Sequence, residues 1–248
     1  MDFRQLQLRP AEIALLTRTS SIDGKILMRY TLIYLILERV LDGVGGGDVT
    51  KKKTVLKIGK RFDGFMARNF EKHFLQFFYN DNTLQISTRD LLEKVEEDTT
   101  YKKFMKDFIN EDQYIKPYVS DRFFDLLRSG VTLNDKGVLL VGSVISYLKE
   151  RNHAYKYAMS VDKKMNVIKE MGSYAILLPS FDQEILPQFT SILHSKRTWD
   201  GDADEDDFDI YFDEEPFYLG SLKMLDKVGG IDESGNTSDS QDDGGEGA

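Results

Sequence analysis

The sequence predicts a mainly helical α+β fold: two winged-helix-like halves with small β-hairpins, followed by an acidic C-terminal tail. Three observations carry that expectation. Apolar residues recur at helical spacing through most of residues 1–195, with only short alternating stretches between them. The chain opens as helix, turn, helix, Gly-rich loop and basic-edged strand, and a similar rhythm returns in its second half. The charge then changes sign near residue 196. Residues 1–195 hold 29 Lys/Arg against 25 Asp/Glu, whereas residues 196–248 hold 4 against 17. Three units follow from this: residues 1–66, residues 67–195 packed on them, and a tail over residues 196–248, partly disordered because its end lacks apolar residues.

Each element has a local signal. "LRPAEIALLTR" starts a helix, with Pro10 suited to the first helical position and Glu12 in the first turn, where the helix dipole favours a carboxylate. "TSSIDGK" is a turn. A second helix is expected from Lys25 to about Leu41, apolar on most sides and so central. "DGVGGGDVTKKK" reads as a loop and "TVLKIGK" as a short strand. In "NFEKHFLQFFY", Phe70, Phe74, Phe77 and Phe78 fall on one helical face, and His73 points off it. Ser87 and Asp90 form a helix-start signature in "ISTRDLL". "YKKFMKDFI" is amphipathic, and "DRFFDLLRSG" is a helix stopping near Gly130. "DKGVLLVGSVISYLKERN" predicts a helix ending near Asn152, with a further helix over Ala154 to Glu170 and a short one near "QEILPQFTSIL".

Composition excludes several functions. With no cysteine, the chain has no disulfide, thiolate metal site or Cys nucleophile. The longest apolar run, Tyr30 to Leu37, falls far short of the ~20 residues a membrane span needs. The start "MDFRQLQLRP" lacks a secretory signal pattern, so a cytoplasmic location is expected. The alternating acids Asp200, Asp202, Asp204 and Asp206 resemble the opening of a calcium loop. The required Gly and Glu positions instead hold Glu205 and Tyr211 in one register, Asp207 and Asp213 in the other. His73, His153 and His194 have no ligand spacing, and no nucleophile motif is present. No metal, no cofactor and no catalytic residue is expected.

Two stretches suggest contacts. Lys51, Lys52 and Lys53 could touch an anionic surface, either nucleic acid or lipid headgroup. The segment from Asp200 to Tyr218 is about half acidic, and its uncharged positions are mostly aromatic. Phe208, Ile210, Phe212, Phe217 and Tyr218 supply an apolar payload worth ~1.5–3 kcal/mol per side chain if buried, while the carboxylates steer it towards basic surface. It is expected to dock, on this chain's own body or on a basic partner. The helix over Lys25 to Leu41 offers only Lys25, Arg29 and Arg39 to a DNA groove, and the tail would repel phosphate.

Three quoted stretches carry a resemblance. "LRPAEIALLTRTSSIDGKILMRYTLIYLILERVL", "DLLRSGVTLNDKGVLLVGSVISYLKERN" and "MGSYAILLPSFDQEILPQF" resemble the cytoplasmic C-terminal domain of predicted bacterial and archaeal membrane proteins of unknown function. That family also finishes in a Gly-rich tail, as "DDGGEGA" does. The likeness covers roughly residues 8–195. Gly172 and Ser173 stand where the family has leucine and proline before Tyr174 and Ala175, and the acidic aromatic segment lies outside the pattern. A weaker resemblance is to the Golgi-phosphoprotein type of phosphoinositide binder. The resemblance implies a fold more than an activity. The expected role is a non-enzymatic interaction or scaffold protein, acting at a membrane-associated complex through protein partners. A nucleic-acid-binding regulator and a peripheral phospholipid-headgroup binder are the alternatives.

Overall fold

The structure, a computed structural model, describes residues 3–18, 24–44, 55–110, 112–120 and 132–185. The chain is mainly helical. Helix α1 (Pro10–Thr17) begins with Pro10 at its first position, as the sequence requires, and every residue from Pro10 to Leu16 is buried. Helix α2 (Gly24–Leu37) is buried without interruption from Tyr30 to Leu37. It is the central rod of the molecule and shows no groove-reading face.

Helix α2 ends with the apolar run at Leu37, four residues before the expected end near Leu41. Arg39 adopts φ 56°, so its N–H bonds back to the Ile36 carbonyl and the Val40 N–H to the Leu35 carbonyl. This is a left-handed helix stop of the kind glycine usually makes. The reversal launches strand β1 (Leu41–Val44), where the sequence suggested helix end and loop. Strand β1 pairs antiparallel with β2 (Val55–Ile58), setting Leu41 opposite Ile58. A third strand, β3 (Ile86–Ser87), pairs with β2 on its other side and completes a sheet of order β1-β2-β3. Strands from both sides of residue 66 therefore share one sheet.

Helix α3 (Asn69–Asn80) carries the phenylalanine stripe. Phe70, Phe74 and Phe78 are buried, and Phe77 is half-buried. Across from them lie Phe104 and Phe108 of α5 (Tyr101–Asn110). Phe70 stacks on Phe108 with centroids 4.1 Å apart, and Phe104 meets Phe70, Phe74 and Phe108 edge-on. Offset-stacked and edge-to-face pairs add to the area term. Between these helices, α4 (Thr88–Asp98) is capped by Ser87, whose Oγ accepts from the Asp90 N–H at 3.0 Å. His73, expected to point off the stripe, instead meets the same helix α5, pairing with the Asp107 carboxylate and lying with its ring centroid 5.8 Å from that of Phe104.

The short α6 (Asp112–Ile115) runs into a 3-10 turn over Lys116–Tyr118, and Val119 bridges to Leu133. Asn134 then caps α7 (Asp135–Lys156) by accepting from the Gly137 N–H. Helix α7 runs four residues past Asn152 and includes His153, which the sequence placed in a loop. A break at residues 157–160 precedes α8 (Val161–Met171), which Ser160 caps. The expected helix over Ala154–Glu170 is thus divided between two helices. Gly172 turns the chain at φ 57° into a 3-10 stretch over Gly172–Leu177, and Phe181–Ile185 form the last described turn. One apolar cluster joins α1, α2, the sheet and the later helices. Among the described residues no helix is long and apolar enough to cross a membrane.

Two glycines mark close backbone approaches. A Cβ at Gly59 would lie 2.2 Å from the Arg39 carbonyl oxygen, and one at Gly137 would lie 2.0 Å from that of Tyr118. Gly64 has open space around it. Gly59→Ala and Gly137→Ala are expected to cost about 1–3 kcal/mol each in denaturant unfolding, and Gly64→Ala next to nothing. Equal midpoints for all three would show that these approaches do not constrain the fold.

Candidate functional site

Two helix starts in this chain use the same four-residue pattern. Arg9-Pro10-Ala11-Glu12 opens α1, and Arg68-Asn69-Phe70-Glu71 opens α3. Both arginines sit at the N-cap with extended backbone. Both glutamates, three residues on, reach back to the arginine's own N–H: Arg9 N–H donates to Glu12 Oε2 at 2.6 Å, and Arg68 N–H to Glu71 Oε2 at 2.8 Å. A guanidinium has no acceptor, so the reciprocal half of a capping box cannot form.

The arginine side chains instead cross over. Arg68 Nη1 donates to Glu12, while Arg9 Nε lies 3.4 Å from Glu71 Oε1. Both carboxylates are fully buried. The two halves are unequal. Arg68 to Glu12 is a hydrogen-bonded ion pair, whereas Arg9 Nε and Glu71 Oε1 attract without hydrogen-bond geometry and find no hydrogen-bond partner among the described residues.

Further contacts hold each guanidinium. Arg9 Nη1 donates to the Tyr34 hydroxyl, and its Cζ lies about 5 Å from the Tyr34 and Phe65 rings. Arg68 Nη2 donates to the carbonyl of Gln7, a residue held at φ 53°, and Arg68 stacks 3.7 Å over the Tyr114 ring. The Tyr174 hydroxyl donates to the Leu8 carbonyl at 2.9 Å. Helices α1, α2, α3 and α6 and the 3-10 stretch after α8 thus all meet at this cluster.

Burial dominates the titration here. It pushes the Glu71 carboxyl up to about 7, against the pull of Arg9 and of the Arg68 N–H. It also raises Glu12, against Arg68. Burial pushes Tyr174 up to about 12 and raises Tyr34 too, so both hydroxyls stay protonated near neutral pH.

Above the cluster lies a cavity of about 810 Å³. Arg9, Arg68, Tyr34 and Tyr174 line its inner part. Arg61 and Lys72 line it from exposed positions, and Glu38 is the one carboxylate among its lining residues. Arg61 pairs with Glu38, and Lys72 donates to the neutral Asn69 side chain at 3.0 Å. The exposed Met66 and the ring of Tyr114 add apolar surface. Among the described residues no group of three or more His, Asp or Glu side chains could hold a metal ion.

The residues expected from sequence are not among those the structure describes. Lys51, Lys52 and Lys53 lie outside the described residues, as do Phe208, Ile210, Phe212, Phe217 and Tyr218. Exposed Lys103 and Lys106 on α5 do not line the cavity. The crossed arginines were missed, although the repeated R-x-x-E at two helix starts was visible. Compared with family models, curated proteins and solved structures, the chain matches none.

Two measurements test the cluster. Removing Arg68 strands Glu12 as an uncompensated buried charge, which costs about 3–5 kcal/mol. Arg68→Met is expected to destabilise by that order, and Glu12→Leu in the same chain to recover most of it. No recovery would mean that the pair acts through something other than charge compensation. Folded Glu71 keeps its proton to higher pH than an unfolded glutamate near 4.5. The folded state therefore binds the extra proton between about 4.5 and 7, and stability from this group falls as pH rises through that window. Glu71→Gln should flatten that slope in urea midpoints measured from pH 5 to 8. An unchanged slope would remove Glu71 as its source.

Proposed function

We propose that this protein is a non-enzymatic interaction module whose cavity receives an acidic, ring-bearing peptide segment. One observation carries the reading: cations and aromatic surface share a single cavity, and its two innermost guanidiniums already hold the fold. Arg9 and Arg68 are bound to Glu71, Glu12, Tyr34 and Gln7. At the opening a ligand meets Lys72, which holds only a neutral amide, Arg61, whose partner Glu38 a ligand carboxylate would have to displace, the outer edge of the Tyr114 ring and Met66, a surface suited to carboxylates and apolar side chains.

The chain itself carries a matching sequence. Asp200 to Tyr218 alternates carboxylates with Phe208, Ile210 and Phe212, followed by Phe217 and Tyr218. Its charge is opposite to that of the body. Charge complementarity steers such an encounter, and ring burial sets its strength. The cavity, rather than the lysines at 51–53, is the receiving surface in this reading. A scaffold role follows, since an open cavity in one chain can take the acidic segment of another.

The test uses full-length protein with Phe208→Ala and Phe212→Ala, to weaken its own segment, and a labelled peptide of residues 200–218. Fluorescence anisotropy should show saturable binding that weakens with salt. Arg61→Glu with Lys72→Glu should reduce affinity by roughly 5–30-fold, taking each exposed charge as ~0.5–1 kcal/mol. A peptide of equal charge without rings should bind more weakly. Equal binding of both peptides, or indifference to the charge reversals, would overturn the reading.

A further inference from the structure

Helix α7 is buried along one side. Gly137, Val144 and Tyr155 face inward there, and the helix packs against α1, α8 and the turn at Lys116–Tyr118. At about 100° per residue the opposite side carries Val138, Leu139, Gly142, Ser146, Lys149 and His153, all exposed. Tyr157 follows one turn beyond His153, its N–H donating to the His153 carbonyl at 3.0 Å. Among the described residues eight large apolar side chains are exposed, and six of them belong to α7 and the turn into α8: Val138, Leu139, Ile145, Tyr157, Met159 and Val161. Scattered exposed apolar residues are ordinary, but this concentration marks a surface that another molecule covers.

The face is complementary to itself. The His153 and Tyr157 rings lie 4.3 Å apart and stand up as one pair, four residues apart. Gly142 and Ser146, also four residues apart, form a low notch, and a Cβ at Gly142 would meet nothing within 4 Å. A second α7 can be laid antiparallel over the first, about a two-fold axis between Lys149 and Glu150. Ser146 then faces His153 of the other copy, and Gly142 faces its Tyr157, because both pairs are centred on that axis. The same axis sets Lys149 opposite Glu150 of the other copy, on both sides of the two-fold. Glu150 is 69% exposed and contacts its neighbour Arg151, so it remains open to a second cation. Val138 and Leu139 extend past Tyr157 to the level of the turn that holds Met159 and Val161.

Area agrees with this occupant. The contact runs ~29 Å, from Val138 to Tyr157. Apolar side chains of this size bury on the order of 100 Å² each, so the six on each of two copies give about 1,200 Å², the lower end of stable associations. Other occupants fit less well. Asp135 and Glu150 stand among Lys149 and Lys156, so the face is no cationic patch for an anionic membrane. A convex helix offers an extended peptide neither a groove nor a strand edge.

We propose that α7 is the interface of a two-fold homodimer, in which the His153–Tyr157 ring pair of each copy sits on Gly142 and Ser146 of the other and Lys149 pairs with Glu150 across the axis. Such an interface is isologous: one patch serves both copies, and every contact occurs twice. No α7 residue lines the cavity, so this inference stands apart from the function proposed above.

Sedimentation velocity on the full-length protein should show a reversible monomer–dimer equilibrium. A monomer at every concentration overturns the proposal, and one that sediments with anionic phospholipid vesicles gives the face to a membrane instead. Three variants then read the contacts. Gly142→Leu meets open space within one copy and leaves folding intact, but it fills the notch and should weaken the dimer at least ~10-fold. An equal or tighter dimer removes the notch and the proposal with it. Lys149→Glu sets two acids face to face on both sides of the axis and should weaken the dimer about 5-fold or more. Adding Glu150→Lys restores the opposite charges and should bring the affinity back to within about 2-fold of the original. A dimer indifferent to both changes lies on another surface. The chain has no cysteine, so register can be read directly. A mixture of Ser146→Cys and His153→Cys chains should form the mixed disulfide at least ~10-fold faster than either chain forms its own, since the axis brings only the unlike positions level. Equal rates would rule out the antiparallel pairing.

Discussion

The crossed pairing of Arg9 with Glu71 and of Arg68 with Glu12 is the constraint on which the rest of the structure depends. Two carboxyl groups without solvent exposure are tolerated because two guanidiniums meet them and because burial lets Glu71 keep its proton up to about 7. Each guanidinium belongs to the start of the other helix, so neither α1 nor α3 can shift without stranding a charge. The same groups fix their surroundings. Tyr34 from the central helix bonds to Arg9, the Tyr114 ring lies under Arg68, and Gln7 turns into a left-handed conformation that presents its carbonyl to Arg68. A buried ionic cluster of this kind adds little net stability, but it admits one register between the helices it joins.

The arrangement also divides labour among the cations. Those inside are buried and spent on the fold, whereas those at the opening are exposed, Lys72 beside the neutral Asn69 and Arg61 in an exchangeable pair with Glu38. Behind them stands the aromatic layer of Phe70, Phe74, Phe104 and Phe108, close-packed and without polar atoms. A cavity built on such a base is pre-formed, which lowers the ordering cost of binding. Its opening is close to the turn at Tyr118, from which α7 begins.

Much of the secondary structure was legible because its signals are local. Pro10 at a helix start, the Ser87 cap, the four-residue spacing of Phe70, Phe74 and Phe78, and the unbroken burial of Tyr30 to Leu37 each need only a few neighbouring residues. The misreadings share a cause too. No glycine or proline marks a stop before Leu41, but helix α2 ended at Leu37 because Arg39 took a conformation that its side chain disfavours. The break at residues 157–160 and the helical place of His153, an exposed residue whose ring meets only Tyr157 one turn on, carry no comparable signal in the sequence. The site was less legible than the fold. Glu12 was read as a helix-dipole residue, which is half of its role, and its partner Arg68 is 56 positions away.

By itself the sequence determined where helices begin, which faces turn inward and where the charge changes sign, since these depend on spacing, capping and composition. Only the tertiary structure decided that two R-x-x-E starts would exchange partners and that one cavity would gather Arg61, Lys72 and Tyr114. The physical reason is range. Backbone preference and periodicity act within a few residues, whereas the desolvation of a carboxylate is settled by whichever charge the packed chain brings within a few ångströms.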